Sequence, residues 1–368
     1  MNFTIVTGAF QPVPPAAGGA VERRWHGIAK ELVGRGHHVT MLGKQAPDLP
    51  EDGDVEGVRV IRHTSYSQTG KLPVDLLKDL LYALRIRGRV PPADVVISND
   101  FFFPIVRRPS HKETFLVNVA RVPKGQLRLY SHVHGILVPS VAMAESVLAE
   151  GVAPSRVTVL PNPIDTTVFN NSVARTYAPP WRLLFAGRIH PEKGISILIE
   201  AVRKLVADDV AIEARVIGPY LESQGGGGAS YRQKLMEQAQ GLPVDFIEPI
   251  FERSLLAEQY AWSHVFVYPS VAEKGESFGV APVEAMSTGA IPVVSGLACF
   301  DDFMNDAAGE RFDHRAPDPA LELRDAILRS IRGDLVQKSG KLADLAKAFS
   351  YPTVADKLMA IVGHKQSG

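Results

Sequence analysis

The amino-acid sequence predicts an α/β protein made of two doubly wound domains. Three observations carry that prediction. Short continuous apolar runs alternate with helix-periodic segments; a stretch of low periodicity with Pro163, Pro179 and Pro180 interrupts them; and the same rhythm then restarts. Continuous apolar strands separated by helices imply parallel sheets covered on both faces, with ligands bound at the carboxyl ends of the strands.

In the first half, "FTIVTG" (3–8) reads as a buried strand. Behind it Val21, Trp25, Ile28 and Leu32 recur at helical spacing, with Glu22, Arg23, Lys30 and Glu31 on the other face. Gly34 and Gly36 close that helix before the strand "HVTMLG" (38–43). A Leu-rich helix over 73–87 precedes strands at 94–98, 114–119 and 135–140; a helix near 141–150 and a strand at 156–161 follow. In the second half, the strand "RLLFAG" (182–187) and the helix "KGISILIEAVRKLV" (193–206) come first. Strands at 212–218, 244–249, 264–270 and 291–295 follow with helices between them, and the chain ends in a helical pattern over 351–363. "QGGGGAS" (224–230) reads as a mobile surface loop, because four ordered glycines cost much entropy. No Lys-Ser/Thr follows it to make a phosphate loop.

The 368 residues are 45% hydrophobic and 22% charged, enough for two full cores. Formal net charge is zero, so no overall field favours nucleic acid. Residues 1–170 carry 19 Lys/Arg against 15 Asp/Glu, a net +4, so the remainder carries −4. Cys299 is the only cysteine, which excludes an intrachain disulfide and fits a reducing compartment. "MNFTIVTG" reads as a strand rather than a signal peptide, and no apolar run reaches the roughly 20 residues of a membrane span. The expectation is a soluble cytoplasmic protein.

Strand-to-helix junctions supply the candidate sites. Gly18 and Gly19 stand just before a helix; they read either as a tight turn or as a close approach of backbone amides to a phosphate or sugar. They do not form the G-x-G-x-x-G of dinucleotide binders. In "FAGRIHPEKG" (185–194), Arg188 and Lys193 flank a turn before a helix. Two cations there oppose the helix dipole, so an anion between them becomes plausible, with Arg as a fork and Lys as a point charge. In "GESFGVAPVEAMSTGAIPVV" (275–294), Glu276 falls in a loop and Glu284 about one turn inside a helix, with the amides of Ser277, Phe278 and Gly279 between them. Dipole stabilisation, worth roughly 0.3–1 kcal/mol, accounts for Glu284 alone and leaves Glu276 unexplained.

Taken together, "FAGRIHPEKG", "VYPS" and "ESFGVAPVEAMSTGAIPVV" resemble the nucleotide-sugar half of retaining glycosyltransferases of family 4. More loosely, "VTVLPNPIDTTVF" (157–169) is similar to that family's interdomain element, with Pro163 where glycine is usual. The resemblance implies two Rossmann-like domains facing across a cleft, the GT-B arrangement. These would be an acceptor-side domain over 1–165, completed by the terminal helix 352–364, and a nucleotide-sugar domain over 178–350. It assigns Arg188 and Lys193 to the donor diphosphate, Glu284 to the ribose and Glu276 to hydroxyls of the reacting sugar. Backbone amides of Ser277, Phe278, Gly279 and Val280 would meet sugar or phosphate. Ile247 would lie near the base, and Gly18 and Gly19 would close over phosphate or acceptor.

The implied reaction moves a sugar from a nucleoside-diphosphate sugar to a hydroxyl on a glycan, a lipid-linked sugar or a small molecule. Its setting would be bacterial polysaccharide or glycoconjugate synthesis. Arg188, Lys193 and Glu276 would act directly on the reacting groups. A sugar-nucleotide epimerase or a non-catalytic sugar-binding relative is the alternative; a dinucleotide-dependent oxidoreductase lacks its glycine fingerprint. The donor is a co-substrate, and neither a cofactor nor an obligatory metal is expected, because His132-x-His134 is too little for a metal centre.

One departure stands out. Where the family commonly carries a histidine after a front-domain strand, this chain offers Asn118, Arg121 and Lys124, which read as an acceptor or phosphate loop or as solvated charge. The Leu-rich helix with Lys78, Arg85, Arg87 and Arg89, near Arg107 and Arg108, has two readings also. A core-packing helix with solvated arginines is the simpler; a peripheral docking patch at the inner membrane surface is the other.

Overall fold

The computed structural model describes residues 1–14, 19–304 and 308–367, with side chains to 366. The chain folds as two compact units, Met1–Pro163 with Tyr351–Gly368, and Ile164–Ser350. Among the described residues, no helix is long and apolar enough to cross a membrane.

Among the described residues, the first unit holds eight strands: β1 (Asn2–Val6), β2 (His38–Lys44), β3 (Asp52–Val55), β4 (Val58–His63), β5 (Val95–Ser98), β6 (Thr114–Asn118), β7 (Gly135–Val138) and β8 (Val157–Val159). They form one sheet in the order β3-β4-β2-β1-β5-β6-β7-β8. All neighbours run parallel except the β3–β4 hairpin. That hairpin is absent from the sequence reading, although Glu56 and Gly57 carry the two positive φ angles of a tight hairpin turn.

Alternate strand residues face opposite sides, so the sheet has two cores. On one, α1 (Ala20–Gly34) and the terminal helix Tyr351–Ser367 lay Trp25, Ile28, Leu32, Leu358 and Val362 over Phe3, Ile5 and Val39. On the other, α2 (Leu72–Ile86), α3 (Phe103–Val106) and α4 (Val141–Leu148) pack against Val6, Val96, Phe115 and Val138.

Helix α2 packs on this core, but not through its leucine face. Its buried residues are Asp75, Asp79, Tyr82, Ala83 and Ile86, while Leu72, Val74, Leu76, Leu77, Leu81 and Leu84 are exposed. The leucines that suggested packing face away from it.

Among its described residues, the second unit has six strands: β9 (Trp181–Ala186), β10 (Ile212–Ile217), β11 (Val244–Ile247), β12 (Val265–Tyr268), β13 (Ile291–Ser295) and β14 (Glu310–Phe312). Their order is β11-β10-β9-β12-β13-β14, parallel throughout. The helices are α5 (Ile195–Ala207), α6 (Ala229–Gln238), α7 (Arg253–Trp262), α8 (Val280–Thr288), α9 (Pro319–Ser330) and α10 (Leu335–Ala346). β9 and β12 are neighbours, so the loops that follow them leave the same edge side by side. Those loops carry the two strongest sequence motifs.

Candidate functional site

After β9 the chain makes a short 3-10 turn, Pro191–Lys193, before α5. Gly194 caps α5 at φ +67, and a side chain there would meet the Pro269 carbonyl at 2.0 Å. Only glycine lets the two loops approach so closely. After β12, Pro269 and Ser270 lead into the loop that ends at Gly279, the cap of α8 at φ +89. A Cβ on Gly279 would come within 2.6 Å of Phe300.

This closeness joins the two motifs directly. Lys193 Nζ donates to Glu276 Oε2 at 2.6 Å, with the two side chains only 6% and 11% exposed. The same oxygen accepts from Tyr268 Oη and Ser270 Oγ, each at 3.2 Å, and the ammonium lies 5.2 Å from the Tyr268 ring centre. Glu192 ties the loops further: its carbonyl accepts from the Val271 amide at 2.8 Å and lies 3.2 Å from Ser270 Oγ.

Arg188 lies on the exposed side of this junction. Nη1 donates to the Gly225 carbonyl at 2.7 Å and Nη2 to Glu192 Oε1 at 2.6 Å. The two cations therefore have carboxylate partners, Glu192 and Glu276. The glycine run is not a loose loop either. Gly226, Gly227 and Gly228 donate their amides to Leu221, Ile189 and Tyr220 carbonyls at 2.8–2.9 Å, which fixes the carbonyl that holds Arg188.

Glu284 sits just past the first turn of α8. Its Oε2 accepts from Tyr260 Oη at 3.2 Å, and Arg253 Nη2 stands 3.9 Å from Oε1. Arg253 also reaches Asp165 at 3.7 Å, so the "PNPID" element connects to Glu284 through one arginine. Tyr260, Phe266, Tyr268 and Phe185 form a continuous stack, with successive centroids 5.2, 6.0 and 5.9 Å apart. Each glutamate thus takes a hydroxyl from one end or the interior of the same aromatic run. Burial first, then the neighbouring carboxylate, holds both tyrosine hydroxyls well above their ordinary pKa. They stay protonated as donors.

Ser277 and Val280 are half-buried and Gly279 is buried. Among the described residues, no acceptor takes the amides of Ser277, Phe278, Gly279 or Val280. Helix starts leave such donors unpaired, and Pro282 has none to offer. The Phe278 side chain is core, packed on Phe303 and Phe349 at 5.5 and 5.6 Å. Ile247 ends the edge strand β11, half-buried, apart from the Lys193–Glu276 pair.

In the first unit, Gly19 caps α1 at φ +64, and Gly18 lies outside the described residues. Asn118 is buried at the end of β6 with its amide occupied: Oδ1 accepts from Arg24 at 3.1 Å, and Nδ2 donates to Asn99 at 2.8 Å. It serves as a joint between strands, leaving Arg121 and Lys124, both exposed on the next loop, as the polar groups open to a ligand. His134 accepts from the Phe115 amide at 2.9 Å, while His132 faces the Arg107 carbonyl at 3.2 Å, so the two imidazoles have separate structural partners.

Sequence reasoning missed Tyr260, Tyr268, Ser270, Glu192 and Arg253. Tyr268 and Ser270 stand in the quoted "VYPS". Their spacing of two puts both side chains on one face, a readable sign that they act together.

Known proteins give a consistent picture. Residues 180–332 match the family described as glycosyl transferases group 1, and residues 19–163 the family described as glycosyl transferase 4-like domain. A D-inositol 3-phosphate glycosyltransferase of Geodermatophilus obscurus is 31% identical over 184 residues, 48% of this chain and 39% of that protein. A lipopolysaccharide 1,2-N-acetylglucosaminetransferase of Salmonella typhimurium is 28% identical over 48% of this chain and 46% of its own length. Both matches span well under two thirds of the relative. A sucrose-phosphate synthase from Thermosynechococcus elongatus superposes with TM-score 0.78 at 18% identity, over 100% of this chain and 99% of that one.

Proposed function

The chain belongs to the glycosyl transferases of group 1, and we propose that it moves a sugar from a nucleoside-diphosphate sugar to a hydroxyl acceptor with retained configuration. The observation that carries the proposal is the buried Lys193–Glu276 pair, bridging two loops at the carboxyl edge of the sheet beside the unpaired amides that begin α8. An anionic donor meets cation, amide and carboxylate within one small region.

In this reading, Arg188 and Lys193 hold the diphosphate and Glu276 holds hydroxyls of the sugar. Glu284 holds the ribose, and Ile247 borders the base. As the bond from the anomeric carbon to the diphosphate oxygen breaks, negative charge builds on the phosphate; the cations and α8 amides stabilise it most at that moment. The acceptor oxygen attacks from the same face, and its proton passes to the departing phosphate. Lys193 is then shared between Glu276 and phosphate, so Glu276 also sets how strongly the ammonium engages the donor. The acceptor, a sugar or a lipid-linked sugar, would meet the first unit near Gly19, Arg121 and Lys124. Activity would need no divalent metal and would persist in chelator; loss restored by a divalent cation would refute that part.

A thermal-shift panel of nucleoside diphosphates and their sugars tests the reading. A true donor at about a hundredfold excess over Kd stabilises by about 2.7 kcal/mol. Replacing Arg188 with Ala should abolish the shift, and E276A should abolish turnover while keeping nucleoside-diphosphate binding. No shift with any of these ligands, or full turnover in E276A, would overturn it.

A further inference from the structure

We propose that the outward face of α2 seats the protein on a lipid surface rich in anionic headgroups. In most surface helices the acids face water and the leucines face the core; here the arrangement is reversed. Val74, Leu77, Leu81 and Leu84, spaced by three, four and three residues, are 41%, 57%, 42% and 39% exposed. That spacing sets them in one stripe along the helix.

The acids of α2 are used inside. Asp75 accepts from the Thr69 amide and hydroxyl at 2.8 and 2.7 Å and from the Gly70 amide at 3.0 Å. Asp79 is buried as well, at 8% exposure. Polar bonds therefore hold the inner face, assisted by Tyr82, Ala83 and Ile86, and the leucines contribute little to the core.

Only cations accompany the stripe. Lys78 and Arg85 border one edge, donating to the Ser67 carbonyl at 2.8 Å and the Thr64 carbonyl at 2.6 Å, while Arg87 stands exposed on the other side. Lys71 precedes the helix and Arg89 follows it. No acid on 71–89 faces out. This charge pattern selects the occupant. A second copy docked through the same face by two-fold symmetry would bring cations against cations. A bilayer with anionic lipid offers acyl chains to the leucines and phosphates to the rim together.

Co-sedimentation of the full chain with phosphatidylcholine vesicles, with and without phosphatidylglycerol, tests the proposal. We expect pelleting with anionic vesicles and release by salt. Arg87→Gln should weaken vesicle affinity about fivefold. Leu77→Ser with Leu81→Ser should weaken it more than about tenfold at unchanged melting temperature and circular dichroism, because those side chains pack little on the protein. A chain that stays in the supernatant, a double variant that pellets like the parent, or a dimer abolished by the leucine changes would each overturn it. Vesicle binding needs no turnover, so its failure leaves the donor-site reading untouched.

Discussion

Removing one member of the Lys193–Glu276 pair should unfold the second unit at lower temperature, whereas neutralising both should not. The pair is nearly enclosed, at 6% and 11% side-chain exposure, so either charge left alone has little water to turn to. Truncating one partner of a buried pair costs about 3–5 kcal/mol. With Lys193→Met, Glu276 keeps the Tyr268 and Ser270 hydroxyls, which places the expected loss near the lower end, about 3 kcal/mol. At this unit's size each kcal/mol is worth about 2–4 °C, giving a drop of about 6–12 °C in the Ile164–Ser350 transition. Glu276→Gln alone strands the ammonium and should cost a similar amount. Lys193→Met combined with Glu276→Gln buries two neutral side chains of matching length, and should recover stability to within about 1 kcal/mol of the parent. All three variants should lack transferase activity, since the proposed chemistry needs both charges. Calorimetry of the four proteins closes the cycle, and a donor-turnover assay reads the second arm. Single variants melting at the parent temperature would refute the electrostatic coupling; turnover in the double variant would refute the catalytic assignment.

Three further perturbations follow from the packing. Gly27→Ala, normally favourable inside a helix by about 1 kcal/mol, places its methyl 2.2 Å from the Tyr351 ring and should destabilise the first unit by about 1–3 kcal/mol, with relief in Tyr351→Leu, by urea unfolding. His264 is pushed down to about 4, by burial and then by Arg182, so it folds neutral. Below the unfolded value near 6.5 only the unfolded state takes the proton; stability present above pH 6.5 should therefore fall by up to about 1.4 kcal/mol per pH unit towards pH 4, and His264→Asn should flatten that slope in urea titrations. Asp100 is held well above the usual carboxylate range by burial and then by Asp79. The folded state keeps its proton where the unfolded state does not, so stability declines as pH rises above about 4; Asp100→Asn should match or exceed the parent at pH 8 and show less of that decline.

The strand rhythm and the two motifs were legible because each is a local signal. Continuous apolar runs exist wherever a parallel strand is covered on both faces, as β1, β5 and β12 are. Arg188, Lys193, Glu276 and Glu284 were legible as residue types at strand-to-helix junctions. Their partners were not, because Tyr260 lies 24 residues from Glu284, and Lys193 lies 83 from Glu276. Such pairing is fixed by which strands become neighbours, and periodicity does not encode strand order. The α2 misreading has a similar origin. A 3.6-residue period shows that apolar residues share a face, but cannot say which way the face points once Asp75 finds amides inside and Asp79 is buried beside it on the helix. The glycine run was misjudged because entropy was weighed without the carbonyls of Ile189, Tyr220 and Leu221 that receive its amides.

The aromatic stack supplies a physical reason for two glutamates to differ while sharing one scaffold. Phe266 and Tyr268 project from the same face of β12, and Tyr260 and Phe185 extend the stack on either side. A rigid row of rings fixes the two hydroxyls, and each hydroxyl fixes one carboxylate. Glu276 then gains a buried ammonium at 2.6 Å, whereas Arg253 stands 3.9 Å from Glu284. A carboxylate bound that closely to a lysine is coupled to whatever else the lysine touches, which suits a group beside changing phosphate charge. Glu284 is held instead by the Tyr260 hydroxyl and the longer Arg253 contact, which suits the anchor proposed for it. The roles proposed for the two glutamates, one at the reacting sugar and one at the ribose, would use these different partners, and Tyr268→Phe and Tyr260→Phe would loosen them separately.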